Sequence, residues 1–212
     1  MKTNTWLEQI APRLNMAWRG TWKVGTIEPA RYLYDHELVV VTEGSCRIQI
    51  GETHHTLIAG TFLIISPNIY HATTTLPGGV RRLCFHFDWT RPAALPKRLP
   101  IWVYHPARPR ATCIKPAPIF VPRQDGVRPF DLAGPLSLLM ETIFHRWQTG
   151  TPHDRATSHA VLNELLIGLL WRKETGQRPA DRATQLAYQV KELLDHAPRG
   201  VPFRMAFRRR PA

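Results

Sequence analysis

The chain reads as an α+β protein, a sheet followed by helices, and three features of the sequence predict that order. Between Leu38 and Ile65 apolar residues come in short continuous runs or at every second position, with glycine-bearing turns between the runs. From Leu132 onward the apolar spacing becomes three and four, the period of a helix with one buried face. Between these regions, prolines break the chain repeatedly from Thr90 to Gln124. A length of 212 residues with 43% hydrophobic content suits one medium domain with an appendage, or two small domains.

Taken in order, Met1 to Asn15 carries charged and polar residues throughout and lacks the apolar block of a signal sequence. No stretch approaches the roughly 20 apolar residues that cross a bilayer, so a cytoplasmic protein is expected. Trp18 to Ile27 and Tyr32 to Tyr34 form an aromatic-rich arm and first strand. Leu38 to Val41 has the β-branched, apolar composition of a strand buried on both faces. Glu43-Gly44-Ser45 is expected to turn the chain. Cys46 to Ile50 then alternates, with Cys46, Ile48 and Ile50 on one face and Arg47 and Gln49 on the other. Gly51-Glu52-Thr53 makes the next tight turn, His54 to Ile58 returns antiparallel, and Ala59-Gly60-Thr61 turns again. Phe62 to Ile65 is a buried strand that ends near Pro67, which has no N–H for the ladder.

His71 follows, and Ala72 to Thr75 continue as a threonine-rich strand toward a turn at Pro77-Gly78-Gly79. Val80 to Trp89 is the next strand. It separates Leu83, Phe85 and Phe87 from Arg82, Cys84 and His86. A cation, a thiol and an imidazole among apolar walls suit a barrel interior that holds a small polar ligand; a solvent-facing Arg82 is the competing placement. Trp102-Val103-Tyr104 and Ile119-Phe120-Val121 are candidate closing strands. Leu132, Leu136, Leu139, Met140, Ile143, Phe144 and Trp147 share one face of a helix that stops near Gly150. Thr151-Pro152 starts a second helix with Leu162, Leu165, Leu166, Leu169 and Leu170, running to about Lys173. After Gly176-Gln177-Arg178-Pro179 a third helix is expected from about Arg182 to His196.

The cysteines, Cys46, Cys84 and Cys113, are widely spaced and show no CxxC pair, so packed thiols are expected. Metal chemistry finds little support. His54 and His55 are adjacent and point to opposite faces of a strand, which leaves His36, His71 and His86, with Glu37 or Glu43, as the convergent set. The formal net charge of +12 favours an anionic partner, with arginines crowded at the C-terminus from Arg199 to Arg210.

Asp35-His36-Glu37-Leu38, Glu43-Gly44, Gly60-x-Phe62-x-Ile64-x-x-Pro67-x-x-x-His71 and Phe85-His86-Phe87 together resemble the sensor domain of AraC/XylS-family transcriptional regulators, a cupin-type double-stranded β-barrel or jelly roll. The resemblance implies a barrel with its arm over residues 1–124, linker and dimerisation helices over 125–175, and the opening of a DNA-binding module plus a basic tail over 176–212. It implies effector contacts at His71, Thr73, Arg82 and Cys84, with Trp22 and Trp18 from the arm. It places dimerisation on Leu162, Leu165, Leu166 and Leu169. Thr184 to Phe203 resembles the first helix of the DNA-binding module, but Arg204 to Ala212 is too short for the paired helix-turn-helix units that follow it in the family. The expectation is a truncated regulator with DNA binding lost or impaired, which senses a sugar or small organic acid, pairs with itself or a related regulator, needs no cofactor and is not an enzyme. The alternatives are a metal-dependent cupin enzyme, such as an isomerase or dioxygenase, and a non-specific nucleic-acid binder using the basic tail.

Overall fold

A computed structural model describes residues 9–90, 114, 117–118 and 126–175, with the side chains of 171–175 excepted. Among them are seven strands and two helices: β1 (Arg13–Trp22), β2 (Ile27–Arg31), β3 (His36–Ile50), β4 (Thr53–Ile58), β5 (Thr61–Ile65), β6 (His71–Asp88), β7 (Arg128–Pro129), α1 (Pro135–Thr149) and α2 (Pro152–Thr175). The expected α+β order of a cupin-type barrel followed by a helical hairpin is what the chain adopts. The candidate strands 102–104 and 119–121 and the third helix lie outside the described residues.

All strand pairs are antiparallel. β3 and β6 run side by side over their whole lengths, from His36↔Phe87 to Ile50↔His71. Other strands flank each end of this pair. β1 joins the later half of β6, with Arg13↔Asp88 and Trp22↔Val80, and β5 joins the earlier half of β3. β2 joins the earlier half of β6, and β4 joins the later half of β3. One bent ribbon therefore belongs to two sheets, a first sheet ordered β1-β6-β3-β5-β7 and a second ordered β2-β6-β3-β4.

The bend replaces two expected turns. Glu43-Gly44-Ser45 and Pro77-Gly78-Gly79 do not reverse the chain but lie inside continuous strands as bulges, where Gly44 pairs with Val80 and the next pair is Cys46 with Thr75. Gly44 has φ 70°, and Gly78 and Gly79 have φ 95° and 80°, a region L-residues with side chains rarely occupy. The backbones also nearly touch, since a Cβ on Gly44 would stand 2.1 Å from the Gly79 carbonyl oxygen. Turn residues can thus mark a corner rather than a reversal when both strands carry them at the same level. The turns at Gly51 and Gly60 do reverse the chain, as expected.

The arm also differs from expectation. It is β1, then a turn closed by Thr26 N–H donating to the Lys23 carbonyl at 3.2 Å, then β2 as a separate strand. Lys23-Val24-Gly25 supplies that turn, with Gly25 at φ 75°.

The helices cover the outer face of the first sheet. Leu14, Ala17, Leu38, Val40, Leu83, Phe85 and Phe87 pack there with Met140, Ile143, Leu162, Leu165, Leu166 and Leu170. Leu132 lies before α1 and is exposed, because Asp131 to Gly134 forms a turn and Pro135 begins the helix. Gly150, left-handed at φ 71°, ends α1. Thr151 caps α2 by accepting from the Asp154 N–H at 3.1 Å. Gly168 admits close packing of the hairpin, since a Cβ there would meet Leu136 at 2.6 Å. Arg19 is ion-paired with Glu141 and stacks 4.5 Å from the Phe144 ring, and the Leu14 N–H donates to His159 Nδ1 at 2.9 Å.

Leu162, Leu165, Leu166 and Leu169, expected to carry dimerisation, are at most 6% exposed within one copy of the chain. They face the sheet and offer no surface to a second subunit. Each fully buried leucine contributes about 1.5–3 kcal/mol, so the hairpin is part of the barrel's stability.

Replacing Gly44 by alanine is expected to cost at least about 3 kcal/mol, from positive φ and the clash with the crossing backbone. Gly51→Ala, with φ 57° but nothing within 4 Å of the added carbon, should cost only about 1–2 kcal/mol. Urea unfolding of the two variants compares them; equal losses would sink the close-approach account.

Candidate ligand-binding site

The interior between the two sheets is built from rows of side chains fixed by strand register. In the first sheet Trp18, Cys84, Val39 and Leu63 lie in one row, Gly20, Arg82 and Val41 in the next, and His86, Glu37 and Ile65 in another. The second sheet supplies Glu28, Thr73 and Ile48 in one row and Arg31, His71 and Ile50 in another. Apolar positions of both sheets make one cluster of Val39, Val41, Cys46, Ile48, Leu57, Leu63, Ile65, Val80 and Cys84, with Trp18 and Trp22 packed against it.

Arg82 is the central polar group. It points inward and is only 1% exposed, which removes the solvent-facing placement. Its Nη2 donates to Glu28 Oε2 at 2.5 Å and its Nη1 to Thr73 Oγ1 at 3.5 Å, both partners being on the opposite sheet. Its guanidinium carbon lies 4.3 Å from the Trp22 ring centre and 5.1 Å from that of Trp18. The two indoles meet edge to face at 5.1 Å. Gly20, between them in sequence and opposite Arg82 in register, makes this possible: a Cβ there would fall 2.0 Å from the Trp22 ring.

Beside Arg82 lies Glu37, fully buried. Arg31 Nη2 donates to Glu37 Oε2 at 3.4 Å, while His71 Nε2 and His86 Nε2 stand 3.8 Å from Oε2 and Oε1 respectively. Burial alone would raise the Glu37 pKa, but the charges of His86, Arg31, Arg82 and His71 outweigh it and hold the carboxyl at about 2. Glu37 is therefore an anion at neutral pH. For His86, burial is outweighed by its hydrogen bond to Asp35 at 3.1 Å and by the carboxylates of Glu37 and Asp35, so its pKa is raised. His71 goes the other way, lowered by burial and by Arg31. Burial pushes the Cys46 thiol up to about 11, and burial with the Glu37 and Glu28 charges holds Cys84 well above its usual value. Neither thiol is a nucleophile at neutral pH.

His71, Thr73, Arg82, Cys84 and Trp22 therefore come together on the interior. Glu28, Arg31 and Gly20 join them and were not anticipated. Glu28 and Arg31 sit between the two stretches expected to form the arm and first strand, and only the pairing of β2 with β6 brings them inside. Gly20 carries a signal in sequence, as the middle member of an alternating Trp-x-Gly-x-Trp on one strand face.

The expected convergence of His36, His71 and His86 fails for His36. It alternates to the outer face, where its ring lies 5.6 Å from Phe87 and 5.8 Å from Trp89. Glu43 is outside, paired with Arg81 at 2.6 Å. Among the described residues, no group of three or more His, Cys, Asp and Glu is arranged to hold a metal ion. Arg31 next to Glu37 sets a fixed cation where such an ion would have to approach.

The interior of the barrel is thus a polar cluster walled by indoles and aliphatic side chains. A family model described as the AraC-like ligand binding domain matches residues 27–197, and the chain belongs to that family. No curated protein matches the chain. Among solved structures it is similar to Bacillus subtilis oxalate decarboxylase at pH 4.6, with 17% identity over 39% of this chain and 23% of that one and a TM-score of 0.35. A second oxalate decarboxylase structure, concerned with substrate binding mode and a switch of reaction specificity, gives 18% identity over 37% and 22% with a TM-score of 0.35. The chain thus spans less than a quarter of the length of these enzymes. Among the described residues no helix is long and apolar enough to cross a membrane.

His36 is held uncharged, its pKa pushed down by burial from 6.5 to about 4, and neither ring nitrogen has a hydrogen-bond partner among the described residues. The unfolded chain takes up that proton first, so stability should fall as pH drops from 6.5 toward 4. His36→Phe should unfold no more easily at pH 7 and should resist acid better by about 3 kcal/mol near pH 4. Chemical denaturation at both pH values measures this; an unchanged acid sensitivity would count against it.

Proposed function

We propose that the chain is the effector-sensing part of an AraC-type transcriptional regulator, in which a small organic molecule binds between the two sheets over Arg82. The observation that carries this reading is the buried Arg82, bridged to Glu28 and Thr73 and overlaid by Trp22, inside a domain of a ligand-binding family. A structural core needs none of these groups. Burying an arginine and a carboxylate costs several kcal/mol before their attraction is counted, and an apolar pair would fill the space at lower cost. Trp18 and Trp22 are half-buried, so their ring faces form the side on which a planar or ring-shaped ligand can stack. In this reading the interior binds its ligand without turning it over, and both of its carboxylates, Glu28 and Glu37, lie against arginines.

Residues 9–90 and 126–130 are the sensing unit in this reading, and the hairpin of α1 and α2 carries its state to a partner subunit. Pairing then uses the outward side of the hairpin, where Leu138 is 46% exposed, and not the leucines packed on the sheet. The partner is a second copy or a related regulator, and control of transcription follows from that pairing.

A thermal-shift screen of sugars, sugar acids and small aromatic acids tests the sensor. A ligand at a hundredfold its Kd should stabilise the protein by about 2.7 kcal/mol. Trp22→Leu should fold and lose that gain, and a gain of equal size in the variant would place the ligand elsewhere. Sedimentation over a wide concentration range tests pairing, with Leu138→Glu expected to shift the equilibrium toward monomer.

A further inference from the structure

β2 is a short strand that carries two of the charged groups filling the interior. Among the described residues it pairs with β6 alone, at Ile27↔Thr74, Glu28↔Thr73 and Arg31↔His71. Between the last two pairs the register slips, and Pro29 there brings no N–H to the ladder. Ile27 is 66% exposed, so apolar packing does little to pin the strand. Its inward side is held by charge: Arg31 lies 3.2 Å from Glu28 and 3.4 Å from Glu37, and Glu28 accepts from Arg82.

The last pair sets Arg31 directly beside His71. Both address one oxygen, Glu37 Oε2, Arg31 Nη2 from 3.4 Å and His71 Nε2 from 3.8 Å. His71 Nδ1 lies 2.9 Å from the Ile69 carbonyl oxygen, which can only accept, so Nδ1 carries the proton and Nε2 is the atom that takes up a second one. The charged groups facing His71 are Arg31 and Glu28 from β2 and Glu37 from β3. Around Glu37 they are joined by Arg82 and His86 from β6, and His86 is hydrogen-bonded to Asp35. Once His86 is protonated, Glu28, Glu37 and Asp35 are matched by Arg31, Arg82 and His86. A proton on His71 adds a further cation at 0% exposure, across from Arg31 in the register. Like charges directly opposite one another weaken a strand pair, and a buried unmatched charge costs far more than an exposed one.

We propose that β2 is an acid-released strap: proton uptake by His71 sets two cations at one register position, and β2 parts from β6 to separate them. Glu28 leaves with β2, so the same step undoes the bridge to Arg82 between the sheets. Release of this kind needs no effector. Burial and Arg31 lower the His71 pKa below 6.5 despite Glu37, so the closed form holds that proton less tightly than the released form. The closed form is therefore fully favoured above pH 6.5 and gives way as pH falls below it.

Hydrogen exchange with mass spectrometry tests this on the whole chain, with rates corrected for the intrinsic effect of pH. Between about pH 7.5 and about pH 5.5 the protection of residues 26–33 should fall severalfold while that of α1 holds. His71→Asn, which keeps a donor near the Ile69 carbonyl and cannot take up the proton, should keep its protection at both pH values. Equal loss in α1 would mean general unfolding, and equal loss in His71→Asn would put the titrating group elsewhere; either overturns the strap, as would unchanged protection in wild type. NMR titration of the His71 ring gives a separate readout. Arg31→Met removes the competing cation and should raise the His71 midpoint, and a midpoint that stays put would overturn the opposition of the two charges. If His71→Asn does not fold, wild-type exchange and that titration decide.

Discussion

The bridge from Arg82 to Glu28 ties the two sheets together where the interior is most polar. Arg82 leaves β6 in the first sheet, and Glu28 and Thr73 belong to the second. Its geometry fixes three other things. The guanidinium sets the level of the Trp22 ring, its charge helps hold Glu37 ionised, and the ionised Glu37 in turn faces both interior histidines. An ion pair of this kind adds little net stability, but breaking one side costs about 3–5 kcal/mol because the other charge is left buried. The interior is therefore specified by polar contacts and filled by apolar ones.

A second chain of contacts joins this interior to the helices. His86, beside Glu37, holds Asp35; Asp35 accepts from Asn15 at 3.0 Å, and Asn15 also reaches Asp88 at 3.3 Å. Asn15 sits at the irregularity in β1 between Leu14 and Met16. The neighbouring Leu14 N–H is bound by His159 of α2. The groups beside the candidate site and the groups that dock the second helix are thus neighbours along one strand.

Much of this was legible in sequence, for reasons that differ by element. The inward turn of Arg82, Cys84 and His86 follows from alternation on a strand whose other face, Leu83, Phe85 and Phe87, is wholly apolar. The helices announced themselves through spacing, Gly150 and Thr151-Pro152. The bend at Gly44 and Gly79 was not legible, because glycine signals a positive φ and not whether the chain then reverses or continues; pairing across residues far apart decides that. Glu28 and Arg31 were missed for the same reason, since no local pattern says that β2 lies against β6. His36 was misplaced by counting histidines without counting the strand's period, which sends it opposite to Glu37. The leucines of α2 show the limit of a stripe as a signal: a seam that suits a second subunit suits the chain's own sheet equally well.

The shared ribbon of β3 and β6 also orders events during synthesis. β1 is made early, yet its partners run from Val80 to Asp88, so Arg13 waits for Asp88 before it can pair. Until then β1 and β3 are open edges with apolar faces, and only the hairpins of β3 with β4 and β5 close locally. A chain with such distant pairings folds slowly and is exposed to association with its neighbours meanwhile. The hairpin of α1 and α2 emerges later still, so the outer apolar face of the first sheet is bare until residue 170 has left the ribosome. Any condition that slows elongation in that interval lengthens the time in which two nascent copies can stick together through the wrong surface.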